Sequence, residues 1–196
     1  DDNVQVACSG DIRTLVDYKN YAAANTENAR FCSLFNGTRL ITAPELPALT
    51  LADYCYHNMF RGCSGLTAAP KLPATTLADN CYAFMFGSCS GLTVAPELPA
   101  TTLAESCYNY MFYGCTSLTT APDLNAEKLV DRCYICMFSG CSSLNSVTMT
   151  ATDISAAYCL YEWLDGVSKT GKFKKNASTD IPSGPSGIPE GWEVIF

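Results

Sequence analysis

Residues 66–91 read LTAAPKLPATTLADNCYAFMFGSCSG, and residues 92–117 read LTVAPELPATTLAESCYNYMFYGCTS. Of the 26 aligned positions, 16 are identical. A fixed period of this length is typical of solenoid proteins, in which one unit is too small to bury its apolar face and stacks on copies of itself. The sequence therefore predicts a tandem array.

The 26-residue period extends over most of the chain and defines its repeats. A leucine begins each of five repeats, and two series of cysteines follow in the same register. These positions are Leu40, Leu66, Leu92, Leu118 and Leu144; Cys55, Cys81, Cys107, Cys133 and Cys159; and Cys63, Cys89, Cys115 and Cys141. The fifth repeat is degenerate, with Trp163 and Leu164 where the others carry Met and Phe, and a degenerate half-repeat lies within residues 29–40.

Each repeat divides into a strand-like, a proline-rich and a helix-like segment. In the third repeat, residues 92–95 are compatible with a strand, and Pro96 and Pro99 end it because proline has no N–H to donate to a sheet. Thr102 and Glu105 then have the spacing of a capping box at the start of a helix. The apolar residues that follow recur at i, i+4 and i+8, as on one face of a helix.

We therefore predict an α/β solenoid. This is a right-handed leucine-rich-repeat fold with 26-residue coils, a parallel β-sheet on one side and short helical segments on the other. Because a single repeat runs through most of the chain, we expect one domain, residues 1–196. The open ends of a solenoid need covering, so we expect a cap at each end. Residues 1–30 are the N-terminal cap, with a strand-like segment at 11–16; residues 31–169 are the repeats; and residues 170–196 are the C-terminal cap.

Charge and hydropathy exclude several classes of protein. The chain has 19 acidic and 12 basic residues, and its one basic run, residues 169–175, is short. Because binding to nucleic acids depends on Lys and Arg at the phosphates, we expect no nucleic-acid partner. No stretch approaches the ~20 apolar residues that span a bilayer, so we predict no transmembrane span. The chain begins at Asp1 rather than Met, and we expect an exported protein whose signal segment is absent from this sequence.

A second pattern within the repeats points to a family. Residues 59–67 read MFRGCSGLT and residues 111–119 read MFYGCTSLT. In this pattern the chain resembles the BspA-like leucine-rich-repeat family, which comprises surface proteins of anaerobic bacteria. The resemblance extends from Phe35 to Trp163, and the closing Gly-Ile-Pro-x-Gly-Trp, residues 187–192, is similar to the end of related chains. The chain departs from the family in its Ala-Pro-x-Leu-Pro segments. The resemblance implies a lipid-anchored adhesion or binding protein at the cell surface or outer membrane, and it identifies no partner.

The 12 cysteines allow three interpretations. A metal site needs four ligands that converge, whereas these thiols are spread along the array. Disulfides between neighbouring coils have a feasible separation, but one bridge would break a uniform series. Buried free thiols that act as small apolar fillers suit an equivalent position in every repeat, and we favour this interpretation. Cys8 and Cys136 lie outside the two series, so we expect them to be the most accessible.

The sequence offers little for catalysis. A catalytic thiol needs a base beside it, and the one histidine, His57, occupies a position that holds Ala83 and Asn109 in the next repeats. We therefore predict no catalytic, cofactor-binding or metal-ligating residues in the repeats, and no cofactor. The alternative is an extracellular enzyme whose site lies in the C-terminal region, where functional groups occur that no periodicity explains. These are Asp165, Lys169, Asp180, Glu190 and Trp192.

Positions that vary between repeats are free of packing and therefore indicate the binding surface. One set lies beside the strand-like segment, and a second lies near the helix-like segment, where aromatic residues cluster. The candidate residues are Glu45, Lys71, Glu97 and Asp123 in the first set, and Asn58, Arg61, Phe84, Tyr110 and Tyr113 in the second. Exposed aromatic clusters often mark contact sites, although these rings have an alternative role as a cover over the buried Met and Phe.

Together these features predict a non-catalytic, monomeric surface protein that binds a protein or a glycan at the cell surface. We expect Thr67, Thr93 and Thr119 to face outward from the sheet. We expect the tyrosine that follows each cysteine of the first series to be buried, with its hydroxyl at the rim. These tyrosines are Tyr56, Tyr82, Tyr108 and Tyr134.

Deletion of one whole repeat, residues 66–91, should leave a folded protein that is shorter by one coil. The flanking faces are near copies, and each coil of a solenoid contacts only its neighbours. Cooperative thermal unfolding followed by circular dichroism is the measurement. In contrast, Phe86→Ala should destabilise the chain by about 2 to 5 kcal/mol through lost burial and a cavity. Unfolding of the deletion variant together with a silent Phe86→Ala would contradict the prediction of an array.

Overall fold

The computed structural model describes residues 5–196, so the first four residues of the expected N-terminal cap lie outside the described residues. The strands in chain order are β1 (Val6–Ala7), β2 (Leu40–Thr42), β3 (Ser146–Met149), β4 (Gly171–Lys175) and β5 (Trp192–Ile195). They form two parallel sheets, β1-β2 and β3-β4-β5. Two 3₁₀ helices, Ile12–Leu15 and Tyr21–Ala23, lie near the N-terminus.

On the strand side, each repeat pairs in parallel with the next one, so that paired residues are about one period apart in the sequence. Between the two sheets the pairing is reduced to isolated parallel bridges, such as Thr50 with Thr76 and Ala68 with Val94. Prolines explain the interruption, since Pro70 and Pro96 have no N–H to donate to a neighbouring strand. The long uninterrupted sheet that the period suggests is therefore limited to its two ends within residues 5–196.

On the opposite side, the residues expected to be helical form turns instead. In the first repeat, Tyr54, Asn58 and Gly62 have φ of 56°, 54° and 74°, and the same positions are left-handed in the other repeats. The N–H groups alternate in direction: that of Met59 bonds within its repeat to Tyr56 O at 3.2 Å, and that of Phe60 bonds to Met85 O of the next repeat at 2.9 Å. An α-helix uses its N–H groups internally, so it would leave none for the neighbouring repeat.

The capping box predicted at Thr102 and Glu105 is also absent, and Glu105 Oε1 accepts instead from the Arg132 guanidinium of the next repeat at 2.7 Å. The carboxylates at the same position in the first two repeats likewise bond to the neighbouring repeat: Asp53 Oδ1 accepts the N–H of Asp79 at 3.2 Å, and Asp79 Oδ1 accepts that of Glu105 at 3.1 Å. The strand expected at residues 11–16 is likewise a 3₁₀ helix, because the Asp11 carboxylate accepts the N–H of Arg13 and caps the turn.

The core consists of side chains stacked on their equivalents in the next repeat. The rings of Phe60, Phe86 and Phe112 are stacked with centroids 5.6 Å apart. A parallel series of tyrosines is buried as predicted, with centroids about 6 Å apart. The expectation that their hydroxyls reach the rim is wrong for Tyr56 and Tyr108, whose hydroxyls are buried and have no hydrogen-bond partner among residues 5–196.

All 12 cysteines are free thiols, and the second series is hydrogen-bonded. Cys89 Sγ donates to Phe60 O at 3.0 Å, and Cys115 Sγ donates to Phe86 O at 3.1 Å. Burial raises the pKa of the Cys89 thiol to about 12. These positions thus need a side chain that is small, apolar and able to donate one weak hydrogen bond.

Segments before and after the repeats continue the packing at each end. Near the N-terminus, Ile12 is buried and its N–H donates to Glu45 O at 3.0 Å. Near the C-terminus, β4 and β5 extend the sheet beyond β3. Phe173 is fully buried against Trp163, with ring centroids 5.9 Å apart. The open faces of the first and fifth repeats are therefore largely covered within residues 5–196.

Ser88→Gly should raise the free energy of unfolding by about 0.5 to 1 kcal/mol. Ser88 has φ of 60° where the other repeats carry glycine, and this conformation costs a non-glycine residue ~1–2 kcal/mol, partly offset by the flexibility that glycine gains in the unfolded chain. Ser90→Gly is the matched control: Ser90 lies outside the left-handed region, so its replacement should lower stability. Chemical denaturation measures both, and equal destabilisation by the two changes would contradict the argument.

Candidate functional site

The candidate residues of the second set lie together on the turn side of the repeats. Arg61, Phe84, Tyr110 and Tyr113 come from the first three repeats and contact one another, and we call these four residues the aromatic surface. The stacking of equivalent positions brings residues about one period apart side by side. The 26-residue period thus accounts for the proximity of these side chains, and their role as a binding surface stays a prediction.

A planar stack forms the centre of the aromatic surface. The rings of Phe84 and Tyr110 are nearly parallel, at 5°, with centroids 4.4 Å apart. The Arg61 guanidinium lies over the Phe84 ring, 5.2 Å from its centroid, as a cation–π contact. Interaction with the nearby Cys136 thiol, together with burial, raises the pKa of Tyr110 to about 12. The stack thus holds Arg61, Phe84 and Tyr110 against one another in the unbound protein.

The rim of the aromatic surface is more open. Tyr113 is 43% exposed, and its ring is tilted by 59° against Tyr110 at a centroid distance of 5.7 Å. Next to Phe84, the His57 ring lies in a T-shaped arrangement with the rings of Phe84 and Tyr54. The centroid of the His57 ring is 6.0 Å from that of Phe84 and 5.7 Å from that of Tyr54. Tyr113 and Tyr54 therefore present aromatic area to solvent.

Asn58 supports the surface from within. Its Nδ2 donates to His57 Nδ1 at 2.8 Å, while its Oδ1 is buried and has no hydrogen-bond partner in the described part of the chain. Burial, with a smaller contribution from the positive charge of Arg61, lowers the pKa of His57, so the imidazole is neutral at pH 7. Cys32 Sγ lies 3.8 Å from the same nitrogen. The 26-residue period does not predict this Cys32–His57 contact, because the contact joins the degenerate half-repeat to the first repeat across a one-residue offset.

The expectation that Cys136 is highly accessible is wrong. Its side chain is only 3% exposed, and Sγ lies between the hydroxyl of Tyr110 and Glu162 Oε2, the latter at 3.9 Å. Cys136 occupies the same position in its repeat as Phe84 and Tyr110, and the Glu162 side chain of the next repeat covers it. Cys32 is only half-buried and is the more accessible thiol.

The first set of candidate residues lies on a different face. These side chains are exposed, as predicted, and border shallow grooves lined by prolines of successive repeats. The residues are Glu45, Lys71, Glu97 and Asp123, and the groove volumes are 550, 540 and 240 Å³. Between residues 69–73 and 95–99 no backbone hydrogen bond joins the two repeats. The proline face thus presents apolar grooves edged by charges of both signs. The Thr67, Thr93 and Thr119 side chains are exposed, as expected.

The C-terminal functional groups do not form a cluster with defined contacts. Asp165, Lys169, Asp180 and Glu190 are exposed, whereas Trp192 is buried and donates from Nε1 to Ser168 O at 2.8 Å. Among residues 5–196, no three Cys, His, Asp or Glu side chains are grouped as metal ligands. No helix in the same range has the length and apolarity to cross a membrane.

Comparison with known proteins gives no relative: no family model, curated protein or solved structure matches the chain. The distinguishing property of the aromatic surface is its stack of aromatic rings beside an exposed guanidinium.

In the native protein, Cys8 and Cys32 should react first with a thiol reagent at pH 8, because they alone are half-buried while the other thiols are buried. Burial raises the pKa of Cys81 and Cys141 to about 12. These thiols therefore stay protonated at pH 8 and react slowly with the reagent. Colourimetric titration with peptide mapping is the measurement.

In denaturant close to 12 thiols should titrate, and Cys32→Ser should remove one fast-reacting group. Rapid native modification of Cys136 or Cys89 would contradict their burial, and a markedly lower total in denaturant would indicate disulfides.

Proposed function

We propose that the protein is a non-catalytic binding module built on a right-handed leucine-rich-repeat solenoid, and that it binds a protein or glycan partner at the cell surface. Parallel pairing of equivalent residues and backbone hydrogen bonds from one repeat to the next support the solenoid. The resemblance of the Met-Phe-x-Gly-Cys pattern to BspA-like proteins supports export and attachment to the surface of an anaerobic bacterium.

The single observation that carries the proposal is the aromatic surface. Tyrosine and arginine are the residue types that contribute most to binding energy at interfaces. Here their side chains are held in place by stacking, so a partner orders few rotamers on binding. The rigid stack of Arg61, Phe84 and Tyr110 next to the exposed Tyr113 suits a contact site.

The chemistry around His57 is consistent with binding rather than catalysis. Its Nδ1 is occupied by Asn58 Nδ2, and its lowered pKa results from burial. No carboxylate orients the imidazole among residues 5–196. The Cys32–His57 contact therefore lacks the orienting third group of a thiol nucleophile.

The test is binding of the fluorescently labelled protein to arrays of host matrix proteins and of cell-surface glycans. Each partner found should bind the double variant Arg61→Ala/Tyr113→Ala at least about tenfold more weakly, since each truncated contact residue is worth more than ~1 kcal/mol. The control is Lys71→Ala/Glu97→Ala on the proline face, which should leave both affinity and stability unchanged. A partner that the control variant loses and the double variant retains would move the site to the proline face. Absence of any partner on either array would overturn the proposal.

A further inference from the structure

The first and fifth repeats carry the same aromatic arrangement on the turn side. In the first repeat, the rings of Tyr54 and His57 lie edge to face, with centroids 5.7 Å apart. In the fifth repeat, Tyr158 and Tyr161 occupy the same two positions and also lie edge to face, with centroids 6.1 Å apart. Tyr54, Tyr158 and Tyr161 are exposed. Both ends of the turn side therefore present aromatic area to solvent.

The charges beside these two aromatic pairs are opposite in sign. Arg61 follows the first pair, and Asp165 occupies the same position after the second pair. Both side chains are exposed, and neither takes part in an ion pair among residues 5–196. The Arg61 guanidinium is held over the Phe84 ring, and its planar N–H groups match the geometry of a carboxylate. Two unneutralised charges of opposite sign therefore lie at opposite ends of one face.

The middle of the same face is aromatic. Tyr110 and Tyr113 belong to the third of the five repeats, and Tyr113 is exposed. Successive repeats keep an even spacing, since the phenylalanine rings of the core stack with centroids 5.5 to 5.6 Å apart. The third repeat therefore lies midway between Arg61 and Asp165. A twofold axis that runs along the third repeat places Arg61 of one copy opposite Asp165 of the other.

Charge complementarity singles out a second copy of the chain as the occupant of this face. A different partner needs an acidic and a basic group that are separated by four coil steps, with an apolar centre between them. A second copy supplies both groups at the correct separation, because it is built with the same period. In an isologous contact each residue meets its counterpart twice, so both pairs of opposite charges form together. Complementary charges of this kind fix the register of an interface.

We propose that the turn side pairs with the turn side of a second copy in an antiparallel dimer, with Arg61 of each copy against Asp165 of the other. The aromatic pair of the first repeat then faces that of the fifth repeat, and Tyr113 of each copy lies near the twofold axis. Removal of these rings from water favours the contact. This inference adds self-association to the proposed function and does not depend on an external partner.

The size of the face predicts a weak dimer. The face is five repeats long and one turn segment wide, roughly 400 Å² per copy, whereas a standard stable interface buries about 800 Å² per partner. The net charge of -7 on each copy also opposes association. At 0.15 M salt the Debye length is about 8 Å, so this long-range repulsion is screened while the close Arg61–Asp165 pairs persist. The chain is therefore monomeric at low concentration and dimeric at high concentration.

The experiment is sedimentation equilibrium of the whole chain in 0.15 M salt, over protein concentrations from about 1 µM to about 1 mM, the range of weak complexes. Arg61→Asp and Asp165→Arg each place like charges opposite one another at both ends of the dimer, so each should weaken self-association at least tenfold. An equimolar mixture of the two variants should associate again, because their heterodimer has two pairs of opposite charges. Lys71→Glu, an equal change of charge on the proline face, should have no effect, and thermal melts verify that each variant is folded.

The outcomes separate this inference from the proposed function. A wild-type chain that stays monomeric at the highest concentration overturns the dimer. Equal weakening by Lys71→Glu, or a mixture of folded Arg61→Asp and Asp165→Arg that does not associate, also overturns it. Self-association without any partner on the arrays supports the dimer while the proposed function fails. A partner on the arrays without self-association leaves the proposed function intact and removes the dimer.

Discussion

On the turn side, backbone N–H groups alternate between a hydrogen bond to the next repeat and one within their own repeat. The rest of the structure depends on this constraint. Five N–H groups per repeat, at every second residue, donate to carbonyls 25 residues further along the chain in the first four repeats, and the N–H groups between them bond three residues back. This pattern requires a left-handed residue at every fourth position. Within a turn segment, a one-residue insertion would exchange the inward-bonding and outward-bonding groups. The one-residue offset between the half-repeat and the first repeat lies outside this segment and leaves the alternation intact, with the Phe31 N–H on Cys55 O and the Ser33 N–H on His57 O. The spacing inside each turn segment is thus a hydrogen-bonding requirement as much as a packing one.

Equal length in turn aligns identical side chains in neighbouring repeats. Flat rings fill such a column well, and the phenylalanine and tyrosine series stack with little tilt. Cysteine suits the adjacent position, since a longer side chain would not fit and alanine would leave the phenylalanine carbonyl without its thiol donor. The buried, unbonded hydroxyls of Tyr56 and Tyr108 are a cost of this arrangement, because a polar group without a partner opposes folding.

The same constraint leaves the surface free for function. The inter-repeat hydrogen bonds of the turn side join backbone atoms. The residue type at positions such as Arg61, Gly87 and Tyr113 can therefore vary in size and charge between repeats without loss of register. On the proline face, missing N–H groups interrupt the sheet and open grooves between repeats. Irregularities within a regular array are therefore the places where recognition is to be sought.

The sequence by itself determined the register, the buried columns and the grouping of Phe84, Tyr110 and Tyr113, because a strict period places equivalent residues side by side whatever the local backbone is. It did not determine the backbone between them. Helical spacing at Leu103, Cys107 and Met111 is also the spacing of successive four-residue turns, so periodicity alone does not separate the two. The tertiary structure decided in favour of turns, because the neighbouring repeat supplies carbonyls that accept hydrogen bonds from the turn N–H groups. These hydrogen bonds offset the cost of the left-handed residues. For the same reason it also decided the burial of Cys136 beneath Glu162 and the contact of Cys32 with His57.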